Sequence, residues 1–190
     1  MSAPRVRADA RRNRERLLVA ARDAFAAAGP TAALEGIARD AGVGIGTLYR
    51  HFPSREALVE AVFRSELEAL CARTDDLLAH HAPPEALRRW MDHYAGFVAA
   101  KRGMAEALRD LAASGAVAAG TTRARLAGSV GTLLGAGATA GTLRADVRAD
   151  DVVTALLGVV LATSGADDPE QAARLLDLLV DGLRPAAAPR

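Results

Sequence analysis

Residues 34–52, LEGIARDAGVGIGTLYRHF, constrain the fold more tightly than any other stretch of this chain. Ile37, Ala41, Val43, Leu48 and Phe52 supply the apolar positions that two short helices would bury. Small Ala38 permits close approach, and Gly42 can take the positive φ of a sharp turn between them. Pro53 then forces a stop, because it disfavours helical geometry in the residue before it. Two short helices around a tight turn follow helix-turn-helix logic. Stepping about 100° per residue from Leu48, Ile45 and Phe52 fall within about 60° of it and are expected to be buried. Gly46 and Arg50 point away, Thr47 and Tyr49 flank them, and His51 lies at the border. The exposed side therefore offers a hydroxyl, a phenol, a guanidinium and a bare backbone position, groups suited to phosphate oxygens and base edges.

The rest of the 190 residues reads as helix. Strand-type alternation is absent, aromatics are only 4%, and Ala, Leu, Arg and Glu recur at spacings of three and four. Breakers set the boundaries. A first helix over 14–28 stops at Gly29-Pro30, a second covers 34–41, and a third covers 45–52. Ser54 caps a long fourth over 55–80, and Pro83-Pro84 opens a fifth over 85–101. Gly103 and Ser114-Gly115 bracket a sixth. The seventh spans 117–140 with Gly128, Gly131, Gly135 and Gly137 inside it, each costing about 1 kcal/mol relative to Ala. Either another helix packs very close against it or it breaks in the middle. An eighth helix follows over 149–164. The ninth starts at Asp168-Pro169-Glu170-Gln171, with Asp168 as N-cap and Pro169 in the first turn, and runs to Leu183, leaving 185–190 as a tail.

A net charge of +1 conceals a split: residues 1–60 carry ten arginines against seven acids, whereas 61–190 are net −2. Arg5, Arg7, Arg11, Arg12, Arg14 and Arg16 form a basic arm facing only Asp9 and Glu15. Cys71 is the single cysteine, which excludes an intrachain disulfide and cysteine-based zinc sites. It is expected to be a small helix-packing residue, a redox role requiring a lowered pKa. The charged start differs from an export signal, and the uncharged run 126–143 is half Gly, Ser and Thr, so no membrane span and a cytoplasmic location are expected. His80, His81 and His93 lack a completing carboxylate pair, and no metal or cofactor is expected. No Ser/His/Asp, Cys/His or phosphate-cradling pattern suggests an enzyme.

At Arg14, Leu17, Ala21, Phe25 and Gly29, then Ile37-Ala38, Ala41-Gly42-Val43, Thr47-Leu48-Tyr49, His51-Phe52 and 54–58 (SREAL), the sequence resembles the TetR family of bacterial transcriptional regulators. The match is gap-free over about a third of the chain. Residues 84–108, PEALRRWMDHYAGFVAAKRGMAEAL, also look like a subgroup common in actinobacterial-type genomes. The resemblance implies an all-α chain: a three-helix DNA-binding domain over 1–53 and a six-helix effector-binding and dimerisation domain over 54–190. It implies a homodimeric repressor of a palindromic operator in double-stranded DNA, with recognition helices about 34–36 Å apart, released by an unknown small apolar or amphipathic effector. Arg12, Arg14, Gly44, Ile45, Gly46, Thr47, Tyr49, Arg50, His51 and Arg55 would face the DNA, with Arg55 on a phosphate at the start of the fourth helix. Ala33 and Gly44 stand where the family usually places Thr or Ser caps, so affinity is expected to lean more on the arginine arm.

Two further readings concern the C-terminal part. Leu87, Trp90, Tyr94 and Phe97 form a stripe that is either plain core or, with Met91, Met104, Leu108 and Leu111, the lining of an effector cavity between helices. If it is core, regulation depends on a protein partner or on no ligand. The eighth and ninth helices are apolar around more than one face. The surplus at Val153, Leu156, Leu157, Val160, Leu176, Leu179 and Leu183 is expected to form the dimer interface, the alternative being deep internal burial.

Overall fold

The structure is a computed structural model that describes residues 3–115, 118–165, 168 and 170–185. The side chains of Arg5 and Arg7, together with Val117, Pro169 and the tail at 186–190, lie outside the described residues. Nine α-helices and no strand occur among the described residues: α1 (Ala3–Ala28), α2 (Leu34–Asp40), α3 (Ile45–His51), α4 (Arg55–His80), α5 (Pro83–Arg102), α6 (Ala105–Ala113), α7 (Ala119–Thr139), α8 (Ala149–Ala162) and α9 (Gln171–Gly182). The chain is all-α, as the spacing requires.

The first helix corrects an expectation. The arginine-rich start is not an arm ahead of a helix but part of α1, which runs unbroken from Ala3. The reason is local. The segment has no breaker after Pro4, alanine favours helix, and oppositely charged neighbours one turn apart support it, as in the Asp9–Arg12 pair and the Arg11–Glu15 pair at 3.6 Å.

Two compact units form, Met1–Leu67 with Ala99–Ala118, and Glu68–Val98 with Ala119–Arg190. Compactness therefore divides the chain differently from a boundary at 53/54, because the first half of α4 and all of α6 join the first unit. There Leu17, Phe25, Ile37, Leu48 and Leu58 form a closed core. A Cβ on Gly103 would lie 2.1 Å from the carbonyl oxygen of Phe25, so the α5–α6 corner sits against the end of α1. In the second unit Leu87, Trp90, Met91, Leu133 and Leu156 are fully buried. Arg88 ties α5 to α9 through Asp177 at 2.5 Å, and Arg123 ties α7 to α8 through Asp150 at 2.9 Å and Thr154 at 2.7 Å. Burial works against the Arg88 cation, but Asp92 and Asp177 outweigh it and its pKa is raised.

Helix α7 follows neither glycine alternative, since it does not break and the close neighbour is a residue of the loop that follows it, not another helix. It is unbroken, and only at Gly137 is a neighbour pressed against the bare backbone, where Leu143 atoms lie 2.4–2.7 Å from a notional Cβ. The start of α9 also differs from expectation. Asp168 accepts the N–H of Glu170 at 3.0 Å in a preceding turn, and the helix begins at Gln171. Cys71 is half-buried, its Sγ 3.9 Å from the Arg125 carbonyl oxygen, consistent with a packing residue.

Candidate nucleic-acid interface

The turn between α2 and α3 is built as the sequence dictates. Gly42 takes φ +66°; its N–H donates to Arg39 O at 2.9 Å, and the Val43 N–H donates to Ala38 O at 2.9 Å. This paired closure satisfies the last carbonyls of α2 and reverses the chain in minimal length. Ala33 and Gly44 cap α2 and α3 without side-chain hydrogen bonds, as their chemistry requires. Phe52 is extended at φ −136°, ψ 97°, ending α3 before Pro53.

Leu48 and Phe52 are buried and anchor α3. Opposite them Gly44, Gly46, Tyr49 and Arg50 are exposed, with Thr47 and His51 half-buried. Tyr49 is 47% exposed, a large phenol left in solvent. No atom lies within 4 Å of where a Cβ on Gly46 or Gly44 would sit, so the backbone there is open to close approach. Arg50 folds along its own helix, donating to Gly46 O at 3.1 Å and to Thr47 Oγ1 at 3.3 Å. Ile45 departs from expectation: it is 36% exposed. As the first residue of α3, its side chain leans toward the N-terminus and past the core that Leu48 reaches, which the angular reading did not register.

Arg55 is the second departure. Its guanidinium donates to Ala32 O at 2.7 Å and lies 5.2 Å from the Phe25 ring, fastening α4 to the link before α2. The N-terminus of α4 is already served. Ser54 Oγ accepts the Ala57 N–H at 3.2 Å, and the Glu56 carboxylate is held below its usual range by its own backbone N–H first and the Ser54 hydroxyl second. A phosphate at that end would meet a carboxylate. Arg14 lies over the Phe52 ring at 5.3 Å, joining α1 to the end of α3, while Arg12 is exposed and paired with Asp9.

The other anticipated sites divide between the units. Trp90, Met91, Tyr94 and Phe97 are buried in the second unit, and Met104 and Leu108 are buried in the first. Trp90 stacks on Tyr94 with centroids 5.9 Å apart at 19°. Burial raises the Tyr94 pKa against the field of Arg123. Among the described residues Trp90 Nε1 and Thr74 Oγ1 are buried polar atoms without a hydrogen-bond partner. Thr74 escaped the sequence reading. Its signal was there, since Phe63, Leu67, Leu70, Thr74 and Leu77 form a buried stripe at alternating spacings of four and three with one polar member.

The expected dimer set is corrected in part. Val153, Leu156, Val160, Leu176 and Leu183 are buried within the chain, because α8 packs on α7 and α9. On α8 and α9 the large apolar residues left in solvent are Leu157 at 37%, Leu161 at 54% and Leu178 at 66% exposure, with Leu179 half-buried.

Comparison with known proteins agrees with this geometry. The profile of bacterial regulatory proteins of the tetR family matches residues 17–62, and the C-terminal domain of SbtR-like transcriptional regulators matches residues 82–185. A solved TetR transcriptional regulator from Streptomyces coelicolor is 48% identical, with 92% of this chain and 99% of that one covered and a TM-score of 0.84. A TetR transcription regulatory protein from Mycobacterium vanbaalenii is 38% identical, with 94% and 99% covered and a TM-score of 0.75. An HTH-type transcriptional regulator of Staphylococcus aureus is 37% identical over 51 residues, and the match spans 27% of either protein's length. The chain, with its α2–α3 helix-turn-helix, belongs to the TetR family of bacterial transcriptional regulators.

Proposed function

We propose that the chain is a homodimeric repressor that binds a palindromic operator and is released by a small apolar or amphipathic effector. One observation carries the DNA reading. A two-turn helix is anchored by Leu48 and Phe52 and turns Gly46, Thr47, Tyr49 and Arg50 outward. Residues 1–53 would read the half-site, with Ile45 and His51 at the margins of the contact, Gly44 and Gly46 giving backbone access, and Arg12 on a phosphate. Arg14 and Arg55 would support this surface by fixing α3 and α4. Residues 54–190 would sense and dimerise, the latter through the exposed leucines Leu157, Leu161 and Leu178 together with Leu179. Two recognition helices about 34–36 Å apart would then occupy successive major grooves.

A gel-shift with the protein's own promoter region tests this. Sequence-selective, salt-sensitive retention is expected, and Tyr49→Ala should abolish it with an unchanged melting temperature; retention of any DNA equally well refutes the reading. Control by a protein partner, or by no ligand, is the second reading. It is favoured by the complete burial and mutual stacking of Trp90 and Tyr94. Against it stand the unpartnered Trp90 Nε1 and Thr74 Oγ1, which solid packing does not explain.

A further inference from the structure

Which base the outward face of α3 selects, given the operator reading on which this rests, follows from one isoleucine and two glycines. Stepping about 100° per residue, Ile45 and Arg50 mark the edges of an arc of about 140°, with Tyr49 and Gly46 between them. All four are exposed. The phenol of Tyr49 and the guanidinium of Arg50 can bond to phosphates or base edges, whereas Ile45 has no polar atom in its side chain. A single exposed isoleucine needs no partner on most surfaces. Its two chain neighbours set this one apart.

Nothing inside the protein calls for glycine at positions 44 and 46. Gly44 is extended at φ −73°, ψ 151°, and Gly46 lies within α3, so neither takes the left-handed backbone that Gly42 adopts at φ +66°. No atom stands within 4 Å of a Cβ built on either, so no internal neighbour requires the bare backbone. Gly46 even weakens the two-turn helix that carries it. What remains is close approach from outside. With no Cβ on either side of Ile45, a partner can come near enough to meet its short, branched and stiff side chain.

The base edges in the major groove offer donors, acceptors and one apolar group, the 5-methyl of thymine. Tyr49 and Arg50 suit the first two kinds, and only the methyl suits Ile45. We propose that Gly44 and Gly46 let α3 sit deep enough in the groove for Ile45 to cover a thymine methyl, which makes Ile45 a specificity-determining residue for one T·A pair in each half-site. Uracil keeps the donors and acceptors of thymine and lacks only that methyl. Replacing one by the other therefore isolates the contact.

Duplexes selected from a random pool by the full-length protein serve as the probe. Each thymine of the recovered half-site is replaced in turn by deoxyuridine, and binding is followed by anisotropy at one fixed salt concentration. At one position uracil is expected to weaken binding about fourfold in one half-site and about fifteenfold in both, as burial of one and of two methyl groups requires. Ile45→Ala should bind the thymine and uracil duplexes equally. Gly46→Ala should also lose most of the discrimination, although the free protein should melt no lower, because space for the added Cβ is open and alanine favours helix.

A recovered half-site without thymine, or one in which no uracil replacement weakens binding, overturns the proposal. Discrimination that survives Ile45→Ala does so too, and so does full discrimination in Gly46→Ala. If Ile45→Ala does not fold, uracil scanning of the wild type and Gly46→Ala decide the matter. Failure of the operator reading looks different. A pool that yields no preferred sequence refutes that reading and the proposal with it, whereas a preferred, salt-sensitive sequence indifferent to the methyl refutes the proposal alone.

Discussion

Four glycines lie within the last dozen residues of α7, and the structure assigns opposite signs to the same substitution along them. At Gly128 and Gly135 no atom stands within 4 Å of an added Cβ. Alanine there should gain about 0.5–1 kcal/mol by restricting the unfolded chain and favouring helix. At Gly137 the added atom would lie 2.4 Å from Leu143 Cδ1, 2.6 Å from Cγ and 2.7 Å from Cβ. Leu143 cannot withdraw easily, because it is buried and the N–H groups of Thr142 and Leu143 both donate to Gly137 O, at 2.9 and 3.1 Å. Overpacking of about 1–3 kcal/mol then exceeds the helix gain, for a net loss of about 1–2 kcal/mol. For a chain of this size about 1 kcal/mol moves the melting temperature by about 2–4 °C. Heat and urea unfolding followed by circular dichroism, at one fixed protein concentration because association shifts the midpoint, measure this. Gly128→Ala and Gly135→Ala should melt higher and Gly137→Ala lower. A lowered midpoint at Gly128 or Gly135, or a raised one at Gly137, would refute the packing described for α7.

Arg12→Ala should weaken binding to all DNA sequences alike and reduce the salt slope by about 1, measured by anisotropy titration over a salt series. A sequence-dependent loss would instead make Arg12 a base reader. Leu178→Glu should leave the protomer folded, since Leu178 is 66% exposed, but convert dimer to monomer in analytical ultracentrifugation. The lost burial is about 1.5–3 kcal/mol per side chain, counted twice by symmetry. Acid should destabilise without an intervening maximum. Asp146 and Asp168 are held below the usual carboxylate range by Arg144 and Arg174 respectively, and Glu56 by its backbone N–H, so their contributions are lost as pH falls through those lowered values. His93 is lowered from 6.5 by burial first and Arg73 second, so its loss begins as pH drops below that value. A melting temperature that rises on acidification would contradict these signs.

The parts of the molecule governed by backbone rules were legible from residues alone. Gly42 closes α2, Ser54 caps α4 and Pro53 ends α3 because each acts on its own neighbours. What depends on distant partners was not. Charge density at the start of the chain suggested an arm, although Asp9 and Arg12, one turn apart, already pointed to helix. The angle of Ile45 on α3 was computed correctly, but an angle does not say where the core ends. Arg55 could be placed at the start of α4, but not turned toward Ala32, because a free carbonyl in a preceding link leaves no trace in a sequence pattern. The apolar surplus of α8 and α9 was countable. Which leucines face outward followed only once α8 was seen against both α7 and α9.

The arginines of the first sixty residues show how a nearly neutral chain can still hold DNA. Those with described side chains already have local contacts, and two kinds among them matter for DNA. Arg14 on Phe52 and Arg55 on Ala32 O and Phe25 hold elements together. Moving either onto a phosphate would loosen α3 or α4. Arg11 with Glu15, Arg12 with Asp9 and Arg39 with Asp40 are exposed pairs, contributing about 0–1 kcal/mol each. Exchanging such a carboxylate for a phosphate costs little, returns the carboxylate to water, and still releases counterions from the DNA. Affinity would then draw on exchangeable surface pairs that salt weakens, while selectivity would rest on the outward face of α3, whose anchor at Leu48 and Phe52 salt does not touch. Raising the salt should therefore lower affinity for operator and non-operator DNA by similar factors and leave their ratio nearly constant, whereas Tyr49→Ala should collapse the ratio at any salt.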